Sequence, residues 1–134
     1  MILAGFNHQI WNMDISSVVI EQMSERNKDR IDMKWDVMDV WEMNYENNFF
    51  DIAIDKSTID ALLCGDDAFI NVAKMTKEVQ RVLKQGGYYF VISYGNPESR
   101  VDHFKQKHLD FKVEEKLIYY DPLDETRIHY VYIC

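Results

Sequence analysis

The 134-residue chain contains few of the residues that mark specialised folds: two cysteines, two prolines and five glycines. Cys64 and Cys134 are too few for a disulfide framework or a four-cysteine metal site. Unpaired thiols favour a reducing compartment, so we expect a cytoplasmic protein. His103 and His108 are five residues apart rather than four, so they do not share a helix face as metal ligands would, and no metal site is expected.

Basic charge and long apolar runs are also scarce. Fifteen Lys and Arg residues stand against 23 Asp and Glu residues, which gives a net charge of -8, and the sequence pI is about 4.9. Such an acidic chain is not expected to bind a nucleic-acid backbone. No apolar run approaches the roughly 18 residues of a membrane span, so no membrane partner is expected. Hydrophobic residues make up 47% of the chain, which suits a single domain over residues 1–134.

Three short apolar segments are each followed closely by an acid. They are predicted strands over residues 10–14, 33–37 and 50–55, and the acids are Asp14, Asp39 and Asp55. The third is the most informative, because Ser57 and Thr58 follow it as the start of a predicted helix. Ligands of open parallel sheets bind at the carboxyl ends of the strands. Acids at successive strand ends therefore predict a nucleoside-like ligand across that edge.

The remaining sequence alternates between helical and strand patterns. Predicted helices begin at Ser16 or Ser17, at Asp66 or Asp67, and at Pro97, the last running to Leu109. The second of these is long, and its apolar stripe consists of Phe69, Val72, Ala73, Thr76, Val79 and Leu83.

Gly86-Gly87 is predicted to end that helix before a buried strand over Tyr88–Tyr94. Period-two patterns over Phe111–Tyr120 and Thr126–Ile133 then predict an antiparallel hairpin. The fold class is α/β, a doubly wound, mostly parallel sheet that ends in this hairpin.

This arrangement resembles the class I S-adenosylmethionine-dependent methyltransferases, whose Rossmann-like sheets end in such a hairpin. Three segments carry the resemblance: Asp14–Ile20, Asp55–Leu62 and Val82–Gly87. They look like the subgroup related to the elongation-factor-1-alpha lysine methyltransferases and the endothelin-converting-enzyme-associated methyltransferase. In that subgroup Gly typically stands at the position of Ser57 and Pro at that of Gln85.

The resemblance implies roles for five residues. Asp14 matches the acid that accepts hydrogen bonds from both ribose hydroxyls of S-adenosylmethionine, a task that suits the two oxygens of a carboxylate. Ile15 would pack against the adenine face. Asp39, beside Val40, matches the acceptor for the adenine amino group. Asp55 matches the acid near the methionine end and the acceptor entrance, and it is the candidate catalytic residue.

Each acid also has an ordinary structural interpretation. Asp14 suits the cap of the helix that begins near Ser16, and Asp55 suits the cap of the turn that follows its strand. Asp39 suits an unremarkable loop position. The sequence alone leaves both interpretations open.

The glycine-rich loop that follows the first strand in this family is absent, since no G-x-G occurs in the chain. Residues Met1–Asn7 resemble the end of the family's first helix, with Gly5 as a turn. The missing strand would lie between the strands that end at Asp14 and Asp55, leaving two unpaired edges. We therefore expect an N-terminally shortened methyltransferase domain in which the sheet closes this gap or a partner chain fills it.

The function implied is methyl transfer from S-adenosylmethionine to a protein side chain such as lysine, with Asp55 and Asp60 as an acidic rim guiding the cationic acceptor. A second hypothesis is a catalytically inactive module that acts through binding or hetero-association. A nicotinamide-dependent oxidoreductase would share the acid after its second strand. The terminal hairpin and the Asp55–Leu62 segment fit the methyltransferases better.

Overall fold

In the computed structural model, which describes residues 1–4, 9–121 and 124–134, strands and helices alternate along the chain. The strands are β1 (Ile2–Ala4), β2 (Ile10–Asp14), β3 (Met33–Val37), β4 (Phe50–Lys56), β5 (Leu83–Ser93), β6 (Glu114–Asp121) and β7 (Asp124–Ile133). The helices are α1 (Ser17–Arg26), α2 (Thr58–Leu63), α3 (Ala68–Val82) and α4 (Pro97–Phe104). Within the described ranges, none of these helices has the length and apolar character needed to cross a bilayer.

The strands form one sheet in the order β3-β2-β1-β4-β5-β7-β6. The pairs β2·β3 and β4·β5 are parallel, whereas β1 runs antiparallel to both β2 and β4. At the other end β7 is antiparallel to β5 and β6. Of the strands described, all but β1 and β7 therefore run in one direction. The predicted α/β class, a mostly parallel sheet with a C-terminal antiparallel hairpin, is confirmed.

Strand β1 corrects the prediction of a helix end at the start of the chain. Ile2 pairs with Asn12 on one side and with Ile54 on the other, and Ala4 pairs with Ile10 and Ile52. The predicted turn at Gly5 lies outside the described residues. Strand pairing prevails here because the facing edges of β2 and β4 present backbone donors and acceptors that need partners. Three residues of the chain itself thus pair with both strands in the central gap between β2 and β4.

The boundary between α3 and β5 also differs from the prediction. Leu83 matches the helical stripe, yet it is the first residue of β5 and pairs with Phe50 of β4. The next pair is Ile52 with Tyr88, so the intervening residues of β5 form a bulge. Gly86 takes a φ of +79° there, a value that favours glycine. The two glycines therefore lie within the strand rather than ending the helix.

Gly87 lies where β4 and β5 approach closely. A Cβ on this residue would be 2.9 Å from the Asp51 carbonyl oxygen and 3.0 Å from that of Lys84. Only a residue without a side chain fits such a distance. This contact explains why glycine stands inside a sequence that otherwise reads as a continuous apolar strand.

The core lies between the sheet and helices α2, α3 and α4. Its largest fully buried side chains include Phe50, Met75, Tyr89, Phe104 and Tyr132.

Some residues predicted to be buried lie at the surface. Phe69 of the predicted α3 stripe is 73% exposed. Tyr88 and Tyr94, at the ends of the predicted buried strand, are also exposed. Helix α4 stops at Phe104 rather than Leu109, although Leu109 is still buried.

Candidate functional site

A cleft of about 400 Å³ lies at the carboxyl ends of β2, β3 and β4. Its volume falls within the roughly 300–1,000 Å³ that small-molecule sites occupy. Four of the five predicted site residues line it, and Asp55 does not. The full lining consists of Met1, Met13, Asp14, Ile15, Met38, Asp39, Val40, Trp41, Lys56, Ser57, Thr58, Ala61 and Leu62.

Asp14 is the last residue of β2. It both contacts the start of α1 and lines the cleft, the two placements that the sequence left open. Its Oδ1 accepts a hydrogen bond from the Ser16 backbone N–H at 2.8 Å, and Ser16 in turn caps α1 through the Val19 N–H. The half-buried carboxylate also lines the cleft. A carboxylate has acceptor capacity beyond this one hydrogen bond. The hydrogen bond from Ser16 therefore does not exclude a contact between Asp14 and the ribose, and that contact stays a prediction.

Asp39 lies in the loop after β3, and its Oδ1 accepts from the Trp41 backbone N–H at 2.9 Å. This contact turns the chain so that Val40 and Trp41 face the cleft. Ile15 contributes an apolar wall and is 72% exposed, so its side chain is accessible to a ligand in the cleft. These placements suit a flat apolar base, and the adenine contacts stay predictions.

Trp41 also forms part of the cleft wall. The Lys74 ammonium lies 5.6 Å from its ring centroid, within cation–π range. Ala61 and Leu62 of α2 also line the cleft without having been predicted. A signal was present for Leu62, because Thr58 and Leu62 are one helical turn apart and share a face.

The segment Lys56, Ser57 and Thr58 forms the rim of the cleft. Ser57 adopts a left-handed conformation with φ 66° and ψ 5°, and its N–H donates to the Ile92 carbonyl at 3.0 Å. Left-handed backbone favours glycine. This geometry accounts for the glycine that the resembling subgroup has at this position.

Asp55 is fully buried beneath the rim. It accepts hydrogen bonds from the Thr58 N–H at 2.8 Å, the Ile59 N–H at 3.2 Å and the Tyr89 hydroxyl at 3.2 Å. Burial raises the pKa of Asp55, and the hydrogen bonds from Thr58 and Ile59 oppose that rise. Asp55 thus fixes the first turn of α2 from below. Asp55 does not line the cleft, so its catalytic role stays a prediction.

Asp60 is likewise held by internal partners. It accepts from the Arg100 guanidinium Nη2 at 3.0 Å and from the Tyr94 N–H at 3.2 Å, and Ser93 Oγ also donates to it. The predicted acidic rim of Asp55 and Asp60 is therefore wrong, because neither carboxylate faces the cleft. The charged side chain exposed on the rim is the cation Lys56.

The burial of Asp55 predicts a pH dependence of stability. The folded-state pKa of Asp55 lies above its ordinary value of 3.8, so its contribution is most favourable below that value and is lost as the pH rises through the folded pKa. We expect the unfolding free energy of the wild-type chain, minus that of Asp55→Asn, to decrease as the pH rises from 4 toward 7. Urea denaturation at several pH values measures the difference. A difference that grows with pH would contradict this account of Asp55.

Among the described residues, no three His, Cys, Asp or Glu side chains are grouped so that they could hold a metal ion.

Comparisons with known proteins agree with this geometry. Residues 1–91 match the protein family described as "Methyltransferase domain". The chain is 28% identical over 121 residues to "EEF1A lysine methyltransferase 4" of Mus musculus, covering 84% of this chain and 47% of that protein. It is 38% identical over 104 residues to the "eEF1A lysine and N-terminal methyltransferase" of Bos taurus, covering 73% of this chain and 15% of that protein.

A solved structure gives the same fold. The N-methyltransferase NodS of Bradyrhizobium japonicum, in complex with S-adenosyl-L-homocysteine, superposes with a TM-score of 0.65 at 14% identity, covering 92% of this chain and 64% of NodS. At that identity the likeness concerns the fold alone. The chain spans less than half the length of the two curated relatives named above.

Proposed function

The chain belongs to the methyltransferase domain family, and we propose that it binds S-adenosylmethionine in the cleft and transfers the methyl group to a lysine side chain of a protein. The observation that carries the proposal is the placement of Asp14 and Asp39 at the ends of neighbouring strands, both lining one cleft. The family profile and the relatives named for lysine methylation support it.

The residues of the cleft suit the parts of this cofactor. Asp14 would accept from the ribose hydroxyls, and Asp39 from the adenine amino group, while Ile15 and Val40 would cover the base. When bound, S-adenosylmethionine supplies an electrophilic methyl group, which an amine lone pair attacks while the carbon–sulfur bond breaks and its electrons stay on sulfur. The protein's task is then mainly to align the acceptor with that bond.

The acceptor amine must be neutral to attack, and its proton goes to water before the transfer. Lys56 contributes to this condition because a cation on the rim disfavours a second positive charge nearby. Thr58, which donates to the Asp55 carboxylate, and Ser57, which donates to the Ile92 carbonyl, shape the opening through which the side chain enters.

A second candidate function is a binding module without transfer. The family's glycine loop lets backbone approach the methionine carboxylate, whereas Met1 and Met13 line the cleft and no glycine does so among the described residues. We therefore expect the cleft to make weak contacts with the methionine part of the cofactor. Cofactor affinity and transfer therefore have to be measured separately.

The test is transfer of radiolabelled methyl from S-adenosylmethionine to unmethylated EEF1A, with the modified residue located by mass spectrometry. We expect label on a lysine with the wild-type chain and, at a cofactor concentration below its Kd, about 100-fold slower labelling with Asp14→Ala. Asp29→Ala is the matched control, because Asp29 is an exposed acid that does not line the cleft. Binding of S-adenosylhomocysteine without transfer would favour the binding module, and a folded chain without binding would overturn both.

A further inference from the structure

A polar network closes the carboxyl end of β5. Asp60 of α2 accepts from Ser93 Oγ, from the Tyr94 N–H and from Arg100 of α4. Arg100 Nε also lies 3.1 Å from Ser93 Oγ, and Ser93 Oγ accepts from the Gly95 N–H at 3.0 Å. These contacts tie α2 and α4 to the segment that leaves the sheet after β5.

The network is partly shielded from solvent and fixed from a further side. The side chains of Arg100 and Asp60 are 16% and 17% exposed, so the pair is screened less than a surface ion pair. The Tyr132 hydroxyl of β7 donates to the Gly95 carbonyl at 2.6 Å. A Cβ on Gly95 would overlap the Arg100 guanidinium, so the guanidinium packs directly against this backbone.

The network lies at the carboxyl end of β5, across β4 from Asp39 and Asp14, which is the side where the proposed function places the acceptor. In the sheet, β3 and β2 with Asp39 and Asp14 lie on one side of β4, and β5 and β7 lie on the other. A cofactor held by Asp39 and Asp14 points its reactive end toward β4. The Tyr94 N–H contacts Asp60, and the next residue along α2, Ala61, lines the cleft.

The segment that the network holds presents an exposed aromatic ring. Tyr94 is 64% exposed although it follows directly on a buried strand residue, Ser93. Its ring lies 4.5 Å from that of His129 on β7. A tyrosine face held in place at the acceptor side suits a lysine side chain, because it packs against the methylene stem and attracts the cationic head as it enters, before the amine loses its proton.

We propose that Arg100 is a positioning residue for the acceptor, which through Asp60 and Ser93 holds Tyr94 where its ring contacts the incoming lysine. This inference rests on the proposed function, since it needs a cofactor in the cleft. A general role of Arg100 in stability would weaken the binding of cofactor and acceptor alike. The inference predicts weaker contact with the acceptor side chain alone.

The probe is an aza analogue of S-adenosylmethionine in which nitrogen replaces sulfur and an aminobutyl arm replaces the methyl group. Calorimetry of the full chain compares its affinity with that of the same aza analogue carrying a methyl group in place of the arm, so that the ratio isolates the arm, and S-adenosylhomocysteine reports on the cofactor site. For the wild type we expect the arm to increase affinity by about tenfold, which lies between the gains from an exposed and from a fully desolvated cation–aromatic contact.

Three variants change the guanidinium, its packing against the backbone and the aromatic ring one at a time. Arg100→Lys keeps the charge but loses the guanidinium fork, Gly95→Ala expels the guanidinium without changing its chemistry, and Tyr94→Ala removes the ring. Each is expected to reduce the gain from the arm to less than about threefold while S-adenosylhomocysteine affinity stays within about twofold. Gly95→Ala made in an Arg100→Ala chain should add no further loss, because its effect acts through Arg100.

Each possible result either supports the inference or overturns it. Loss of the arm's gain with unchanged S-adenosylhomocysteine affinity supports the inference. A gain that survives in Arg100→Lys and Gly95→Ala, or no gain in the wild type, overturns it and leaves the cofactor site intact. Equal losses for the arm-bearing analogue and S-adenosylhomocysteine also overturn it, since they show a structural role only. A wild-type chain that folds but binds none of these ligands overturns the proposed function itself.

Discussion

Replacing Asp14 with alanine is expected to weaken the binding of S-adenosylhomocysteine by about 100-fold. Two hydrogen bonds from ribose hydroxyls to a carboxylate contribute about 3 kcal/mol together, and about 1.4 kcal/mol corresponds to a factor of ten. The carboxylate lines the cleft at the end of β2, where no other acid of that strand can replace it. Titration calorimetry of the two chains measures the difference.

Two further variants make this result interpretable. Asp14 also accepts from the backbone N–H of Ser16, the N-cap of α1, so alanine removes one hydrogen bond at a cost of about 1 kcal/mol of stability. Asp14→Asn keeps an oxygen for that N–H, loses the charge, and should still weaken binding at least tenfold. Asp29→Ala should bind like the wild type. Equal affinities for Asp14→Ala and Asp29→Ala would remove Asp14 from the cofactor site.

The largest loss of stability is expected from Phe50→Ala, at about 3–5 kcal/mol of unfolding free energy. Phe50 is fully buried and packs edge-on against Trp11, Tyr45 and Phe49, with ring centroids 5.4, 4.9 and 4.8 Å away. Truncation leaves a cavity bounded by these rings and loses their edge-to-face contacts. Because a domain of this size has about 5–15 kcal/mol of stability, the variant is expected to be only marginally folded.

The matched control is Phe69→Ala, the same substitution on a side chain that is 73% exposed. Its one aromatic neighbour among the described residues is His103, at 5.1 Å. We expect a loss below about 1 kcal/mol, as for most surface positions. Urea denaturation of both variants gives the comparison. Similar losses at Phe50 and Phe69 would show that the core is not where the structure places it.

The parts of the fold that could be predicted from sequence are those with local signals. Strands β2, β3 and β4 each combine an apolar run with a closely following acid, so the placement of Asp14 and Asp39 at one sheet edge followed from topology alone. Strand β1 carries no such signal. Its three residues, Ile-Leu-Ala, suit a helix or a strand equally, and only the unpaired edges of β2 and β4 decide between them.

The orientation of Asp55 has only a partial signal in the sequence, because Asp51, on the same face of β4, is charged and only partly buried, whereas Ala53 is apolar. Side chains two apart on a strand face the same side, and Ala53 and Asp55 are both fully buried. The acid therefore follows the strand's period into the core rather than into the cleft. The contact between Asp60 and Arg100 differs, because it joins residues 40 positions apart in sequence and no local pattern indicates it.

The central claim is that the cleft between the ends of β2, β3 and β4 binds the cofactor, and amide NMR of the isotope-labelled chain during titration with S-adenosylhomocysteine tests it most directly. The account predicts saturable shifts at Ile15, Val40 and Trp41, and at Ser57 on the rim, with no comparable change at Glu25 on the far part of α1. A folded chain whose spectrum does not change, or whose changes are confined to residues outside the cleft, would contradict it.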